Sequence, residues 1–280
     1  MKNHPLLRIE NLSVAFKKNA IIKRILHSIS FDVFKNEILG VVGESGSGKS
    51  ITALSIMRLL KTTQIEGEII YDDMNLNTLP LKKMERIRGR KISMIFQEPM
   101  SALNPSMRCG VQVKEVLLQH NIVPKKEVYS EIFRLFKSVK ITNPEHAFNK
   151  YPHELSGGQQ QRVMIAMAIA CKPDILIADE PTTALDVTVQ NEIIELIQEL
   201  QKETQMSVIF ISHDLVLVSE IAHRTVVMYK GKIVEQGTTI SIFKTPKNNY
   251  TKALIAARPS LNVRLKKLPT VEDVLSKTMS

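Results

Sequence analysis

The residues best suited to chemistry lie at positions 43–50, which read Gly-Glu-Ser-Gly-Ser-Gly-Lys-Ser. This segment fits the pattern G-x-x-x-x-G-K-[ST] at every fixed position and follows an apolar run, Ile38–Val42. Glycines let backbone N–H groups point at phosphate oxygens, and the helix expected to follow adds its positive end. Lys49 would place its charge on the β and γ phosphates, and the Ser50 hydroxyl would ligate Mg²⁺. The candidate nucleotide contacts are Gly43, Ser45, Gly46, Ser47, Gly48, Lys49, Ser50 and Ile51. The segment predicts a nucleoside triphosphate site and, by itself, leaves kinases, GTPases and motors open.

Two carboxylates end a second apolar run, Ile175–Ala178. Because successive strand residues point to opposite sides, Asp179 and Glu180 can take different roles. Asp179 would hold Mg²⁺ through water, and Glu180 would polarise the attacking water as general base. The pair therefore indicates hydrolysis of the γ-phosphate.

Two further polar residues each follow a predicted strand: Gln97 follows Ile92–Phe96, and His213 follows Ser207–Ser212. Ligand groups gather at the carboxyl ends of strands in such sheets. His213 would hydrogen-bond the γ-phosphate and steady the water. The Gln97 amide can reach both Mg²⁺ and water, so it would sense the γ-phosphate.

A second glycine cluster, Leu155-Ser156-Gly157-Gly158-Gln159, precedes a predicted helix. Small residues at a helix N-terminus form an anion site. The cluster lies far along the chain from the first loop, and one chain can hardly bring both loops onto one phosphate. The economical arrangement is two chains, head to tail, each supplying one loop to the nucleotide of the other.

Hydrophobic periodicity predicts the elements that carry these residues. Strands are predicted at Leu6–Phe16, Ile29–Val33, Ile38–Val42, Gly67–Tyr71, Ile92–Phe96, Ile175–Ala178, Ser207–Ser212, Thr225–Tyr229 and Lys232–Glu235. Helices are predicted at Ser50–Leu60, Val111–Gln119, Val128–Lys140, Gly158–Cys171, Thr188–Glu203 and Leu215–Ala222. Alternating strands and helices predict a mainly parallel sheet covered on both faces. We expect one domain over residues 1–260, a helical insertion over about 98–157 and a polar tail over 261–280.

The composition is that of an ordinary soluble chain of 280 residues, 44% hydrophobic and 24% charged. No apolar run approaches the roughly 18 to 20 residues of a membrane helix, and no signal-peptide core is visible, so we expect a cytoplasmic protein. The net charge of +10 is spread along the chain, which argues against a nucleic-acid partner. Cys109 and Cys171 lack metal-site spacing and are interpreted as packing residues.

Together the motifs resemble those of the ABC transporter ATPase family over about residues 6–258. In the order of that family, they are the Walker A loop (Gly43–Ser50), Q-loop (Gln97), signature (Leu155–Gln159), Walker B strand (Ile175–Asp179), catalytic glutamate (Glu180), D-loop (Ala184-Leu185-Asp186) and H-loop (His213). The fold that the resemblance implies is α/β: a P-loop NTPase with a mainly parallel sheet, an N-terminal antiparallel β subdomain and an inserted α-helical subdomain. Phe16 matches the aromatic residue that stacks on adenine in that family.

The resemblance also implies cofactors and partners. Two ATP molecules with Mg²⁺, held by Ser50, Gln97 and Asp179, would close a dimer in which Ser156, Gly157 and Gly158 contact the partner's γ-phosphate. The implied partners are transmembrane permease subunits, a second ABC ATPase chain, and indirectly an extracytoplasmic solute-binding protein. The chain would lie peripherally at the cytoplasmic face of the cell membrane.

Finer features resemble the dipeptide, oligopeptide and nickel importer branch: the segments 97–105, 151–158 and 249–259. Peptide import is the first hypothesis, and import of nickel, another metal chelate or glutathione is the alternative. Because importers of this branch usually pair two different ATPase chains, a heterodimer is expected. Two departures are Asn36, where the family usually has glycine, and a tail without the cysteine cluster of many members; asparagine tolerates the left-handed turn.

Three other classes compete with this interpretation. A soluble ABC ATPase acting on DNA or ribosomes would carry coiled coils, zinc motifs or two nucleotide domains. A small-molecule P-loop kinase would not need the signature loop or His213. An inactive regulatory subunit is disfavoured because Lys49, Glu180 and His213 are all present.

Overall fold

The computed structural model describes residues 4–18, 21–61, 63–183 and 185–257. The strands within them are β1 (Leu7–Lys18), β2 (Ile21–Val33), β3 (Ile38–Val42), β4 (Thr63–Tyr71), β5 (Met74–Asn75), β6 (Ile92–Ile95), β7 (Ile175–Asp179), β8 (Ser207–Ser212), β9 (Arg224–Tyr229) and β10 (Lys232–Thr238). The helices are α1 (Lys49–Ile56), α2 (Leu81–Ile87), α3 (Pro99–Ala102), α4 (Cys109–Gln119), α5 (Val128–Ser138), α6 (Pro144–Asn149), α7 (Gly157–Ile169), α8 (Val187–Thr204), α9 (Leu215–Ile221), α10 (Thr239–Lys244) and α11 (Asn249–Ala256). Each predicted strand and helix has a counterpart, and β3 and β8 match residue for residue.

The described chain divides into two compact units. Unit 1 contains Phe34–Glu37 and Thr78–Ile211, and unit 2 contains Pro5–Val33, Ile38–Asn77 and the chain from Ser212 onward. The single domain over 1–260 stays a prediction, and the predicted tail at 261–280 lies outside the described residues.

Unit 2 holds the antiparallel subdomain that the sequence resemblance implied. Its four-stranded sheet has the order β2-β1-β4-β5, and each neighbouring pair is antiparallel. In the same unit β3 runs parallel to β9, and β9 is antiparallel to β10. All five residues of β3 are buried, as expected for an apolar run flanked by neighbours on both faces. This strand delivers the chain to the glycine-rich loop.

The predicted β9–β10 hairpin is confirmed, with Tyr229 opposite Lys232. Its two connecting residues, Lys230 and Gly231, have φ angles of 45° and 75°. Positive φ at both positions is the requirement of a type I′ turn, whose twist suits a two-residue hairpin.

Unit 1 carries three neighbouring parallel strands in the order β8-β7-β6. Between β6 and α7 its described residues form only helices and turns, which supports a helical insertion; the limits 98–157 stay a prediction. In α5 the buried residues Ile132, Leu135 and Phe136 lie three and four positions apart, the spacing of an amphipathic helix. Among the described residues, none of the helices has the length and apolar character needed to cross a bilayer.

Several element boundaries differ from the sequence prediction, and at two of them the structure shows a local reason. Helix α1 ends at Ile56 and not at Leu60, because Arg58 takes a left-handed φ of 48° and the Leu59 N–H donates to the Leu54 carbonyl at 2.9 Å. Strand β2 begins at Ile21 and not at Ile29, since it pairs along β1 through bulges that break the alternation.

The expectation that Asn36 tolerates a left-handed turn is confirmed, because its φ is 60°.

Candidate functional site

The glycine-rich loop connects β3 to α1 in unit 2 and depends on glycine at two crowded positions. Gly43 has a φ of 153°, and a Cβ there would lie 2.2 Å from the Met228 carbonyl oxygen. Gly48 has a φ of 106°, and a Cβ there would lie 2.6 Å from a Leu26 methyl group. A side chain at either position would displace the backbone, so these glycines let the loop pack closely on its own unit.

Lys49 is the first residue of α1 and is only 4% exposed. Its Nζ donates to the Gly43 carbonyl at 2.7 Å and to the Glu44 carbonyl at 3.0 Å, so the ammonium group lies over its own loop. The buried Ser47 Oγ has no hydrogen-bond partner among the described residues. A Cβ on Gly46 would meet no atom within 4 Å, so open space lies beside the loop. A cation, an unsatisfied hydroxyl and a helix N-terminus next to open space suit a phosphate chain.

Four other predicted nucleotide residues also lie in unit 2. Ser50 and Ile51 form the first turn of α1 after Lys49, and Ser45 is exposed in the loop. Phe16 lies in β1, where it is half-buried and paired in register with Lys23 of β2.

Glu180 follows β7 in unit 1, and its backbone conformation was not predicted from the sequence. The strand ends at Asp179, which is 4% exposed, and Glu180 takes a left-handed φ of 47°. The predicted alternation along one strand is therefore wrong for this pair, because Glu180 has already left the strand. Its N–H still donates to the Ile211 carbonyl at 3.0 Å. A left-handed non-glycine residue costs about 1–3 kcal/mol, a strain that often accompanies functional positions.

The side chains of Gln97 and Glu180 meet in unit 1. Gln97 Nε2 donates to Glu180 Oε2 at 3.3 Å, although β6 ends at Ile95, two residues earlier. The Thr183 hydroxyl donates to the same carboxylate oxygen at 3.0 Å. Thr183 was not predicted, and only its position three residues after Glu180 would have indicated it. Two donors thus hold one oxygen of the candidate base.

His213 is the exposed residue directly after β8. The turn that follows is fixed by side chains: the Asp214 N–H donates to Ser212 Oγ at 2.9 Å, and Asp214 Oδ1 accepts the Val216 N–H at 2.7 Å. This Asx-type cap starts α9 and positions the histidine at the strand end.

The second glycine cluster starts α7 in unit 1 with a capping box. Ser156 Oγ accepts the Gln159 N–H, and Gln159 Oε1 accepts the Ser156 N–H, both at 3.3 Å. Leu155 is buried, whereas Ser156, Gly157 and Gln159 are exposed. The cluster therefore presents a helix N-terminus on the surface of the single chain.

Helix α8 begins close to this cluster. Asp186 caps it by accepting the Val189 N–H at 3.0 Å. A Cβ on Gly158 would lie 2.9 Å from a Val189 methyl group, so α7 and α8 approach closely at their first turns. The predicted signature and D-loop residues are thus neighbours within unit 1.

Three glutamines that the sequence did not single out fix the loops before α4, α7 and α8. Each is the fourth residue of its helix, and each side-chain amide donates to the carbonyls eight and five residues earlier, at 2.9–3.2 Å. Gln112 donates to the carbonyls of Asn104 and Met107, Gln160 to those of Pro152 and Leu155, and Gln190 to those of Thr182 and Leu185. Glutamine at the fourth helical position is the signal that would have found them.

The two cysteines are buried and free, in agreement with a packing role. Burial raises the pKa of both Cys109 and Cys171 to about 11. Both thiols therefore stay protonated near neutral pH, and the reactive thiolate is suppressed.

Comparison with known proteins finds a matching family and similar transport proteins. A family model described as ABC transporter matches residues 26–183. The dipeptide transport ATP-binding protein DppD of Bacillus subtilis (strain 168) is 45% identical over 269 residues, which cover 95% of this chain and 80% of DppD. The oligopeptide transport ATP-binding protein OppD of the same organism is 46% identical over 259 residues, or 91% of this chain and 72% of OppD.

Solved structures give the same result. The ATP-binding cassette MJ0796, a dimer in a post-hydrolysis state with ADP and Pi, has a TM-score of 0.75 and 28% identity, covering 83% of this chain and 98% of MJ0796. The cbiO1 protein from Clostridium perfringens, part of the ABC transporter complex cbiONQ, has a TM-score of 0.73 and 27% identity. The match covers 86% of this chain and 91% of cbiO1. These similarities confirm the predicted P-loop NTPase fold class.

The family model spans more than half of the chain, and the relatives align over nearly all of it. The chain therefore belongs to the ABC transporter family and is an ATP-binding, ATP-hydrolysing subunit of that type.

Proposed function

We propose that this ATPase energises the import of di- and oligopeptides. The observation that carries the proposal is the 45% identity, across 95% of this chain, to a protein named for dipeptide transport. The oligopeptide transport relative at 46% identity supports the same substrate class. Nickel, another metal chelate and glutathione are the alternative cargoes that a transport experiment separates.

In this proposal the phosphate loop of unit 2 binds the triphosphate of ATP. The open side of the loop at Gly46, the Ser47 hydroxyl and the Lys49 ammonium group support that assignment. The contacts are the backbone and side chains of Gly43, Ser45, Gly46, Ser47, Gly48, Lys49, Ser50 and Ile51. Phe16 stacks on the adenine.

Mg²⁺ accompanies the nucleotide in the proposed site. A hydroxyl from Ser50, an amide oxygen from Gln97 and a carboxylate from Asp179 form an all-oxygen donor set, which is what this cation prefers. When bound, the ion neutralises charge on the phosphate oxygens.

Hydrolysis depends on Glu180 as general base in this proposal. The hydrogen bonds from Gln97 and Thr183 to Glu180 Oε2 support it, because they fix the position of the carboxylate that would accept the proton of the attacking water. His213 steadies the water and the γ-phosphate. Gln97 links the state of the base to the presence of the nucleotide.

The proposed assembly is a dimer of cassettes on two permease subunits, peripheral to the cytoplasmic face of the membrane. Exposure of Ser156, Gly157 and Gln159 at a helix N-terminus supports a role in which they meet the γ-phosphate held by a partner chain. Asp186 lies beside this loop. The partner is a second, different ABC ATPase, an extracytoplasmic binding protein delivers the solute, and nucleic acid takes no part.

Replacing Ser156 by arginine tests the shared site. The bulky cation should block approach of the second loop, so turnover by the assembled transporter should fall by about half or more, since one of two shared sites is lost. ATP binding to the isolated chain should stay near that of the unaltered protein. Phosphate release and equilibrium ATP binding measure the two quantities.

The matched control is Asn143→Arg, which adds the same charge and removes the cap of α6, where Asn143 Oδ1 accepts the His146 N–H. Its turnover should be unchanged. Equal turnover in the Ser156 and Asn143 variants would contradict the shared site.

Uptake by cells that carry the complete importer tests the cargo. Labelled di- and oligopeptides should enter cells with the unaltered chain, and uptake should fall to background with Lys49→Ala. Nickel and glutathione uptake should not differ between the two strains. If nickel or glutathione uptake depended on Lys49 and peptide uptake did not, the peptide assignment would be wrong.

A further inference from the structure

The last described helix, α11, reaches back to the phosphate loop within unit 2. Tyr250, its second residue, is 3% exposed, and its hydroxyl oxygen accepts the Glu44 N–H at 3.2 Å. Glu44 is the second residue of the loop, so the phenol group of Tyr250 holds the loop backbone at that position.

The ring and the proton of Tyr250 are both well defined. The ring stacks on Tyr229, with centroids 4.1 Å apart and planes at 29°. Burial raises the pKa of Tyr250 to about 12, so the hydroxyl keeps its proton at neutral pH.

The start of α11 is itself anchored to β10. Glu235 accepts the backbone N–H groups of Lys247 at 2.8 Å and Asn248 at 3.0 Å. Asn248 Oδ1 in turn accepts the Tyr250 N–H at 2.8 Å as the helix cap. These bonds fix the position of Tyr250, because its helix cap, Asn248, is itself bound to Glu235 of β10.

The phosphate loop receives two more contacts from the same part of the chain. The Gly231 N–H donates to the Ser47 carbonyl at 3.0 Å. The Met228 carbonyl oxygen packs so closely on Gly43 that a Cβ at Gly43 would lie only 2.2 Å from that oxygen. The first, second and fifth residues of the loop are therefore each supported by residues between 228 and 250.

We infer that Tyr250 is a positioning residue of the nucleotide site: its hydroxyl holds Glu44 so that the phosphate loop keeps the shape that receives the triphosphate. The inference rests on the proposed function, in which residues 43–51 bind the ATP phosphates. Helix α11 then serves ATP binding and not only the packing of unit 2.

Tyr250→Phe tests this, because the ring and its stack remain while the hydrogen bond from the Glu44 N–H to the Tyr250 hydroxyl is lost. KM for ATP should rise about three- to tenfold, with kcat within about twofold, since a hydrogen bond that shapes the ground-state site affects binding first. The full chain is measured in its assembled transporter, with the melting temperature recorded alongside. Tyr229→Phe removes a hydroxyl from the other ring of the stack and should leave KM unchanged.

A second variant tests whether the backbone bond carries the effect. Glu44→Ala removes the carboxylate but keeps the backbone N–H, so Tyr250→Phe should still raise KM in that background. Tyr250→Phe with the KM of the unaltered chain would overturn the inference, and so would a fall in kcat and melting temperature without a change in KM. Lys49→Ala is the reference: if it loses ATP and Tyr250→Phe does not, only this inference fails. If Lys49→Ala also binds ATP normally, the assignment of the phosphate loop fails with it.

Discussion

Replacing Glu180 by glutamine should lower the rate of ATP hydrolysis by about 10²–10⁴-fold, the usual contribution of a general base. ATP binding should be retained. The glutamine carbonyl oxygen can still accept from Thr183 and Gln97, as Glu180 Oε2 does at 3.0 and 3.3 Å, so the position of the side chain is preserved. An amide cannot take the proton from the attacking water. The variant should therefore accumulate as an ATP-bound, closed dimer.

Phosphate release at saturating ATP and equilibrium ATP binding check this expectation together. Thr183→Val is the matched control, because it removes one hydrogen bond to Glu180 but keeps the carboxylate. Its rate should fall less than about tenfold, in line with the loss of one hydrogen bond. Normal turnover in Glu180→Gln would refute the role of Glu180 as base.

Replacing Lys49 by alanine should weaken ATP binding by about 10–100-fold, because hydrogen bonds to charged groups contribute more than neutral ones. Lys49 is 4% exposed, and its ammonium group donates to two carbonyls of the loop itself. A phosphate chain brought to the loop offers this cation stronger, charged acceptors. Alanine removes that attraction and the two bonds to the loop carbonyls.

Equilibrium titration with ATP measures the loss. The control is Lys126→Ala, which makes the same change in net charge at an exposed residue of the helical region in unit 1. Its affinity should match that of the unaltered chain. Equal affinities for the Lys49 and Lys126 variants would count against the phosphate-loop assignment.

Local pattern was enough to predict strands β3 and β8 to the residue, because each is a short apolar run with polar or glycine residues at its end. It was not enough for the end of α1. Arg58 adopts a left-handed φ there, and no glycine or asparagine marks the position. Asn36 is the opposite example: asparagine tolerates that conformation, and its φ of 60° was expected from residue type alone.

The candidate site was predicted as a set of residues but not as a set of contacts. The bond between Tyr250 and Glu44 joins residues 206 positions apart, and periodicity carries no information on such a pair. The left-handed backbone of Glu180 was hidden for another reason: the two carboxylates after the apolar run of β7 do not show whether the strand ends at Asp179 or at Glu180. The contact between Gln97 and Glu180 could not be predicted for both reasons. It requires β6 and β7 to pair in register, and it depends on the backbone conformation of Glu180 after β7.

The glutamines at the start of α7 and α8 have a mechanical consequence. Because Gln160 ties the signature loop to α7 and Gln190 ties the D-loop to α8, neither loop can shift without dragging its helix along. The two helices are also joined, since Arg162 of α7 donates to Glu192 of α8 at 2.7 Å. A displacement of the signature loop is thus transmitted to the D-loop through the two joined helices and not through flexible peptide.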